Sequence, residues 1–389
     1  MNWVLQQHFS AITATLGSMQ YSLIRQAHQH LDGLRIGGAK SLKLAKKIID
    51  TGSDDEDDYI PATIIAIELG EKEDIDNAVE LLLQDSDDIR NACRIGLRFG
   101  DIRRCETQLR KIASSQDQSL AIAAADVLAF HRHPIRLQHE ISLPSENAIA
   151  KSLFWEAAGR TRESFGIKKI EAPNSAVSPR VRAARLRAAC RKGISNLHEI
   201  CRKEAEIGDC IESIIFFGLL SKISDCNLLQ KLLMNPTITV AALSAIGKSG
   251  WIRLVPSLLD FLDSEDYSQP ATLAFERITG LTVPRGEPIE PPEDLDEDEK
   301  DLWVTAGLPE TNIIREWWQE NSGIFDEQHR YQEGHCVSKD PLPVIANQLS
   351  PRVALDVYLR ERALNHKNTP DWELETWPRY WQNPGWTFS

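Results

Sequence analysis

Three histidine clusters, seven cysteines and a glycine-rich stretch are where this chain could do chemistry. The pairs His28–His30 and His131–His133 and the dipeptide His335–Cys336 carry metal-ligating atoms. Side chains at i and i+2 diverge on a helix, however, and none of these clusters has the i, i+4 spacing that converges on one ion. No metal or other cofactor is therefore expected. The cysteines are odd in number, scattered and never arranged as Cys-x-x-Cys, which points to reduced, mostly buried thiols rather than a disulfide framework or zinc ribbon. No strained elbow or flanking motif marks any of them as a nucleophile, so no catalytic residue is assigned and the chain reads as a non-enzyme.

The stretch "HLDGLRIGG" ends in Gly37 and Gly38, which follow Leu23, Ala27, Leu31 and Leu34 at helical spacing. A phosphate-cradling loop needs glycines between a strand and a helix N-terminus. Here they follow a helix, so the spacing predicts a helix end.

Two charge runs are more informative. Residues 54–58 read "DDEDD", that is Asp54, Asp55, Glu56, Asp57 and Asp58. Between Arg160 and Lys203 lie twelve lysines and arginines, among them Arg180, Arg182, Arg185, Arg187 and Arg191, against Glu163, Glu171 and Glu199. This band is either a solvated face with ion pairs to neighbouring segments, the acidic run included, or a groove for an anionic partner such as a DNA backbone. The overall balance of 44 basic and 57 acidic side chains, a formal charge of −13, disfavours general binding to nucleic acid or anionic membrane and suits a basic partner. The opening residues lack a basic leader, and no segment approaches the ~20 apolar residues that span a bilayer, so a cytoplasmic protein without a membrane anchor is expected.

The elements that would position these residues recur. Apolar helical segments end at Gly70, Gly100, His131, Gly159, Gly193, Gly218, Gly247 and Gly280, about thirty residues apart, which leaves room for two short helices per unit. Ile75, Val79 and Leu82 form one apolar stripe, and Ile89, Cys93, Leu97 and Gly100 form the next. Ser178 stands at a cap position, Pro179 at the first helical position, and Gly193 at the stop. Strand signals are nearly absent. Such pairs bury their apolar faces only by stacking, which predicts an all-α protein, a right-handed α-solenoid of short HEAT-like helix pairs. The short period resembles the compact HEAT-like repeats of phycobilin lyases, a likeness of scaffold alone.

The expected divisions are a helical region at 1–50, the repeat array at 51–283, a linker at 284–301 and a Trp-rich region at 302–389. The stretch "LTVPRGEPIEPPEDLDEDEKD" carries four prolines and nine carboxylates and reads as extended and solvated. Most of the ten tryptophans follow it, including Trp317 and Trp318, placed either to build a small core or to hold a ligand.

Taken together, "HLDGLRIGG", the compact array, "AFERITGL" before the acidic linker and the "WW…RY…G" region resemble a proteobacterial family of HEAT-like proteins often encoded beside type VI secretion components. The likeness spans most of the chain and transfers no catalytic residues. It implies contact with a secreted effector or its loading machinery, as an immunity protein or an adaptor. The partner-binding candidates are the Asp54–Asp58 run, Arg180, Arg182, Arg185, Arg187, Arg191, Trp317 and Trp318. The alternative is a HEAT-like DNA-binding or DNA-processing protein that uses the arginine band.

Overall fold

A computed structural model describes residues 30–135, 148–161, 177–208, 210–287, 307–338, 345 and 348–364. His28, Leu23, Ala27, Glu163, Glu171 and most of the acidic linker lie outside the described residues. Helices dominate, as expected of an all-α chain, and none is long and apolar enough to cross a membrane.

Two compact units are formed, Met1–Leu197 with Ser350–Ser389, and His198–Leu349. In the first, α1 (Ala39–Thr51), α2 (Tyr59–Leu69), α4 (Asp87–Phe99), α6 (Gln118–Phe130), α7 (Ala148–Arg160) and α8 (Pro179–Lys192) pack in succession, each on the next. The shorter α3 (Lys72–Glu80) and α5 (Glu106–Ala113) support them, and α16 (Pro351–Leu364) packs on α8. In the second unit α10 (Ile211–Leu220), α12 (Thr239–Ser249) and α14 (Ser268–Thr279) pack in the same manner. They alternate with the short α11 (Cys226–Leu232) and α13 (Val255–Leu259), and α9 (Leu197–Ile207) precedes them. Helix α15 (Thr311–Asn321) and a hairpin of β1 (Tyr331–Gln332) and β2 (His335–Cys336) lie against α14. The described parts of 302–389 thus contribute to both units.

Local sequence accounts for these elements. Helices α2 and α6 are apolar nearly all round because neighbours cover both sides: α2 buries Tyr59 through Ile67 and α6 buries Ala121 through Phe130 without a break. Ser86 caps α4 by accepting from the Ile89 amide, ahead of Asp87 and Asp88 in the first turn. The stripe Ile75, Val79 and Leu82 is buried, as are Cys93, Leu97 and Gly100. Ser178 occupies the N-cap of α8, but its hydroxyl makes no capping bond; Pro179 and the left-handed Gly193 stand where expected.

Three expected stops are corrected. Gly159, Gly218 and Gly247 lie inside α7, α10 and α12. They let neighbouring helices approach: a Cβ on Gly159 would come within 2.9 Å of Ala188 Cα, on Gly218 within 2.6 Å of Ala245 Cα, and on Gly247 within 3.0 Å of Ala274 Cα. The true end of α12 is Gly250, in the left-handed conformation. Gly37 and Gly38 do end a helix, residues 30–37, but a second helix starts at once at Ala39. The hairpin is a further departure from an all-helical expectation. Its turn residues Glu333 and Gly334 both have positive φ, 49° and 79°, the conformation of a two-residue turn matched to strand twist.

Candidate functional site

Charge is distributed unevenly in the first unit, and the helix packing explains how. Helices α2 and α4 lie side by side in the same direction, with Gly96 over Ile60 and Thr63 and Gly100 over Ile64. Acidic residues at their starts therefore gather at one end, and the turn Glu56–Asp58 contacts α4. From Asp50 to Asp88 the chain carries fifteen carboxylates and one basic residue, Lys72. Asp54, Asp55, Glu56, Asp85, Asp87 and Asp88 are exposed, and so is Leu83, at 48%, two residues before Asp85 in the chain. Asp57 and Asp58 are half-buried. Within the run, Asp55 accepts from the Asp57 amide and Asp58 from the Ser53 hydroxyl. Burial, then repulsion from Asp55, Glu56 and Asp58, raises the Asp57 carboxyl above the usual range. Asp57 thus holds its negative charge at a cost.

The cations turn inward. Asp126, 0% exposed on α6, accepts from Arg94 on α4 at 2.7 Å and from Arg160 on α7 at 2.8 Å, and Arg98 lies 3.6 Å away. Arg98 and Arg160 also lie over the Phe130 ring, at 4.5 and 5.5 Å. Glu156, one helix on, pairs with Arg187 at 2.6 Å and with Arg160 at 3.8 Å. The result is an alternating ladder through four successive helices: Arg94 and Arg98, Asp126, Arg160 with Glu156, Arg187. Burial pushes the Asp126 carboxyl up, but Arg98, Arg160 and Arg94 outweigh it and hold the group at about 2. Glu156 is likewise held at about 2, with Arg187, Arg160 and Arg191 overcoming burial.

A pH dependence follows. A carboxylate whose folded pKa is depressed stabilises the fold fully above its unfolded value and loses that contribution as pH falls through the folded one. For Asp126 the window runs from 3.8 down to about 2 and is worth about 2 kcal/mol. Urea unfolding of the wild type should therefore lose stability between pH 4 and 2, and an Asp126→Asn chain should lose less over the same interval. An equal loss in both chains would remove Asp126 from the explanation.

Other basic side chains satisfy helix C-terminal carbonyls, which lack intrahelical partners. Arg104 donates to Ile67 O, His131 to Leu97 O, Arg132 to Arg160 O and Arg362 to Arg191 O. The arginine band of α8 is mostly part of this interior. Arg182 and Arg191 are buried, and Arg185 is half-buried over the Trp155 ring. Arg187 is bound to Glu156, and Arg180 alone of the five is classed as exposed. Arg187 of this band pairs with Glu156 of the neighbouring helix, and within the acidic run Asp55 and Asp58 accept from the Asp57 amide and the Ser53 hydroxyl.

The remaining candidates separate. Trp317 and Trp318 are half-buried and pack edge-on against Phe275, at 5.9 and 6.0 Å, with Phe325 and Tyr331 completing an aromatic cluster in the second unit. His30 is exposed, His131 serves Leu97 O, and His133 lies 3.0 Å from Glu106. Among the described residues no group of three ligands could hold a metal ion. None of the seven cysteines forms a disulfide, and burial pushes the thiol of Cys105 to about 12 and that of Cys226 to about 11, away from thiolate chemistry. Asp126, Glu156 and the hairpin were not singled out from sequence. The one local signal for Asp126 was a lone carboxylate in "LAIAAADVLAF".

Compared with known proteins, the chain matches no family model, no curated protein and no solved structure.

Proposed function

We propose that this chain is a non-catalytic protein-interaction scaffold, a right-handed α-solenoid of helix pairs whose acidic face in the first unit docks a basic protein partner. The observation that carries the reading is the segregation of charge. Arginines are spent on Asp126, Glu156 and helix C-termini, while Asp54, Asp55, Glu56, Asp85, Asp87 and Asp88 remain exposed, as does Leu83; Glu68 and Asp74 of the same segment are instead paired with Arg35 and Lys46. Clustered surface charge steers association and sets specificity, and an apolar side chain within it supplies an anchor. The resemblance to type VI-associated HEAT-like proteins makes the partner a secreted effector, held as by an immunity protein or a loading adaptor. Seven cysteines without a disulfide suit a reducing cytoplasm.

The competing reading, DNA binding through the arginine band, is weakened by the burial of Arg182 and Arg191 and by the commitment of Arg187 to Glu156. Phosphate contacts need cations that reach the surface.

Co-expression with the secreted protein encoded beside this chain is the test, scored for growth rescue and for a purified complex. Replacing Asp54, Asp55 and Glu56 by serine should leave thermal unfolding nearly unchanged and slow capture about tenfold at low salt, with a smaller effect at high salt. Failure to obtain rescue or complex, together with a shift of duplex DNA at physiological salt, would overturn the proposal.

A further inference from the structure

One group of cations in the first unit does not turn inward. Helix α1 packs on α2 through Leu42, Ala45, Ile48 and Ile49, which meet Ala62, Ile65 and Leu69, and Ala45 is its one buried residue. Two ion pairs hold this end in place, Lys46 with Asp74 and Arg35 with Glu68, both at 2.6 Å. Away from α2 stand Lys40, Lys43, Leu44 and Lys47, whose i, i+3, i+4 and i+7 spacing puts them on one helix face. All four are exposed, Leu44 at 54%, and Ile36, just before the turn at Gly38, is 87% exposed. Among the described residues no carboxylate pairs with Lys40, Lys43 or Lys47.

This arrangement works against the helix that carries it. Like charges three and four residues apart on one helix repel. Lys40 also stands in the first turn, where the helix field disfavours a cation, no carboxylate of that turn offsets it and Gly38 supplies no side-chain cap. An anionic occupant offsets both penalties, and two features decide its class. Asp50 is exposed near the end of the same helix and Asp54, Asp55 and Glu56 follow it, so a long polyanion laid along the lysines, such as a DNA backbone or an anionic bilayer, would run into carboxylates. Leu44 and Ile36 call for apolar side chains opposite them, which a phosphate backbone lacks. A short acidic helix with an apolar stripe meets both demands, with carboxylates for the lysines and a hydrophobic contact for Leu44.

We infer that the outer face of α1 docks an acidic amphipathic helix of a partner protein. This surface is separate from the acidic face, and its charge preference is the reverse. In the test, the full-length chain is titrated into a labelled, hydrocarbon-stapled helical peptide with glutamates at i, i+3 and i+7 around a leucine at i+4, and anisotropy is read at low and high salt. Wild type should bind, less tightly at high salt, and exchanging the peptide's glutamates for glutamine should weaken binding about tenfold. Replacing Lys40, Lys43 and Lys47 together by glutamine should do the same without lowering the melting temperature, and Leu44→Ser should weaken binding while keeping its salt dependence. The chain with Asp54, Asp55 and Glu56 replaced by serine should bind this peptide at least as tightly as wild type, so the two surfaces succeed or fail separately. No binding by wild type, or equal binding of the glutamate and glutamine peptides, would overturn the proposal whether or not the lysine variant folds. So would a folded lysine variant that binds like wild type. Duplex DNA or phosphatidylserine vesicles bound by wild type and released by the lysine variant would assign the face to phosphate, and wild-type dimers lost in that variant would assign it to a second copy; either result overturns the partner-helix reading.

Discussion

Asp126→Ala should lower the unfolding free energy by about 3–5 kcal/mol, the range for breaking a buried pair by removing one member. The loss exceeds that of one contact because Arg94, Arg98 and Arg160 all converge on this carboxylate and would face one another without it. Urea titration at neutral pH measures the effect. Asp126→Asn, which keeps an oxygen acceptor without the charge, should fall between alanine and wild type. By contrast, removing the exposed Arg103 beside Asp101 should leave stability nearly unchanged, because solvent screens a surface pair. A loss under 1 kcal/mol for Asp126→Ala would mean that the ladder is incidental to stability.

Gly218→Ala should carry the second largest effect, and its sign is the informative part. Alanine is favoured over glycine by about 1 kcal/mol in a helix interior, so a glycine without a packing role would be improved by the change. At Gly218 the new Cβ meets backbone atoms of Ala245, including its carbonyl carbon at 2.6 Å, and α10 and α12 must part. Overpacking of this kind costs about 1–3 kcal/mol or more. The obstacle being backbone, Ala245→Gly should give no relief. At Gly159 part of the obstacle is the Ala188 methyl at 3.2 Å, so Gly159→Ala with Ala188→Gly should recover some of the loss. Stabilisation by Gly218→Ala, or rescue by Ala245→Gly, would contradict the close approach.

Those glycines also show what the sequence conveys and where it falls short. The thirty-residue recurrence and the buried stripes were legible because both arise from local periodicity, and Gly70, Gly100, Gly193 and Gly280 do end helices. Gly159, Gly218 and Gly247 serve close approach instead, a role set by Ala188, Ala245 and Ala274 on the next packed helix, too far along the chain for a local pattern to show. The segment "AIGKSG" held the clue, since the second glycine, Gly250, is the one that stops α12. Asp126 was missed for a related reason. Its partners Arg94 and Arg160 lie one repeat before and one repeat after it, so each is invisible to a local window. The arginine band looked like a surface feature when counted along the chain, yet helix phase turns Arg182 and Arg191 inward. The hairpin was hidden by its shortness, and "QEGH" was its only mark: a glycine after a residue that also takes positive φ.

The central claim is that exposed carboxylates recruit the partner while the arginine band holds the fold together. The most direct test is the association rate with the co-purified partner, measured against salt concentration for three chains: wild type, the Asp54, Asp55 and Glu56 to serine variant, and Arg180→Ala. Steering by the acidic face predicts a wild-type rate that falls steeply with salt, a serine variant about tenfold slower at low salt with a flatter dependence, and an Arg180→Ala chain indistinguishable from wild type. A serine variant that associates like wild type, with the rate lost in Arg180→Ala instead, would contradict the account and return the arginine band to the role of binding surface.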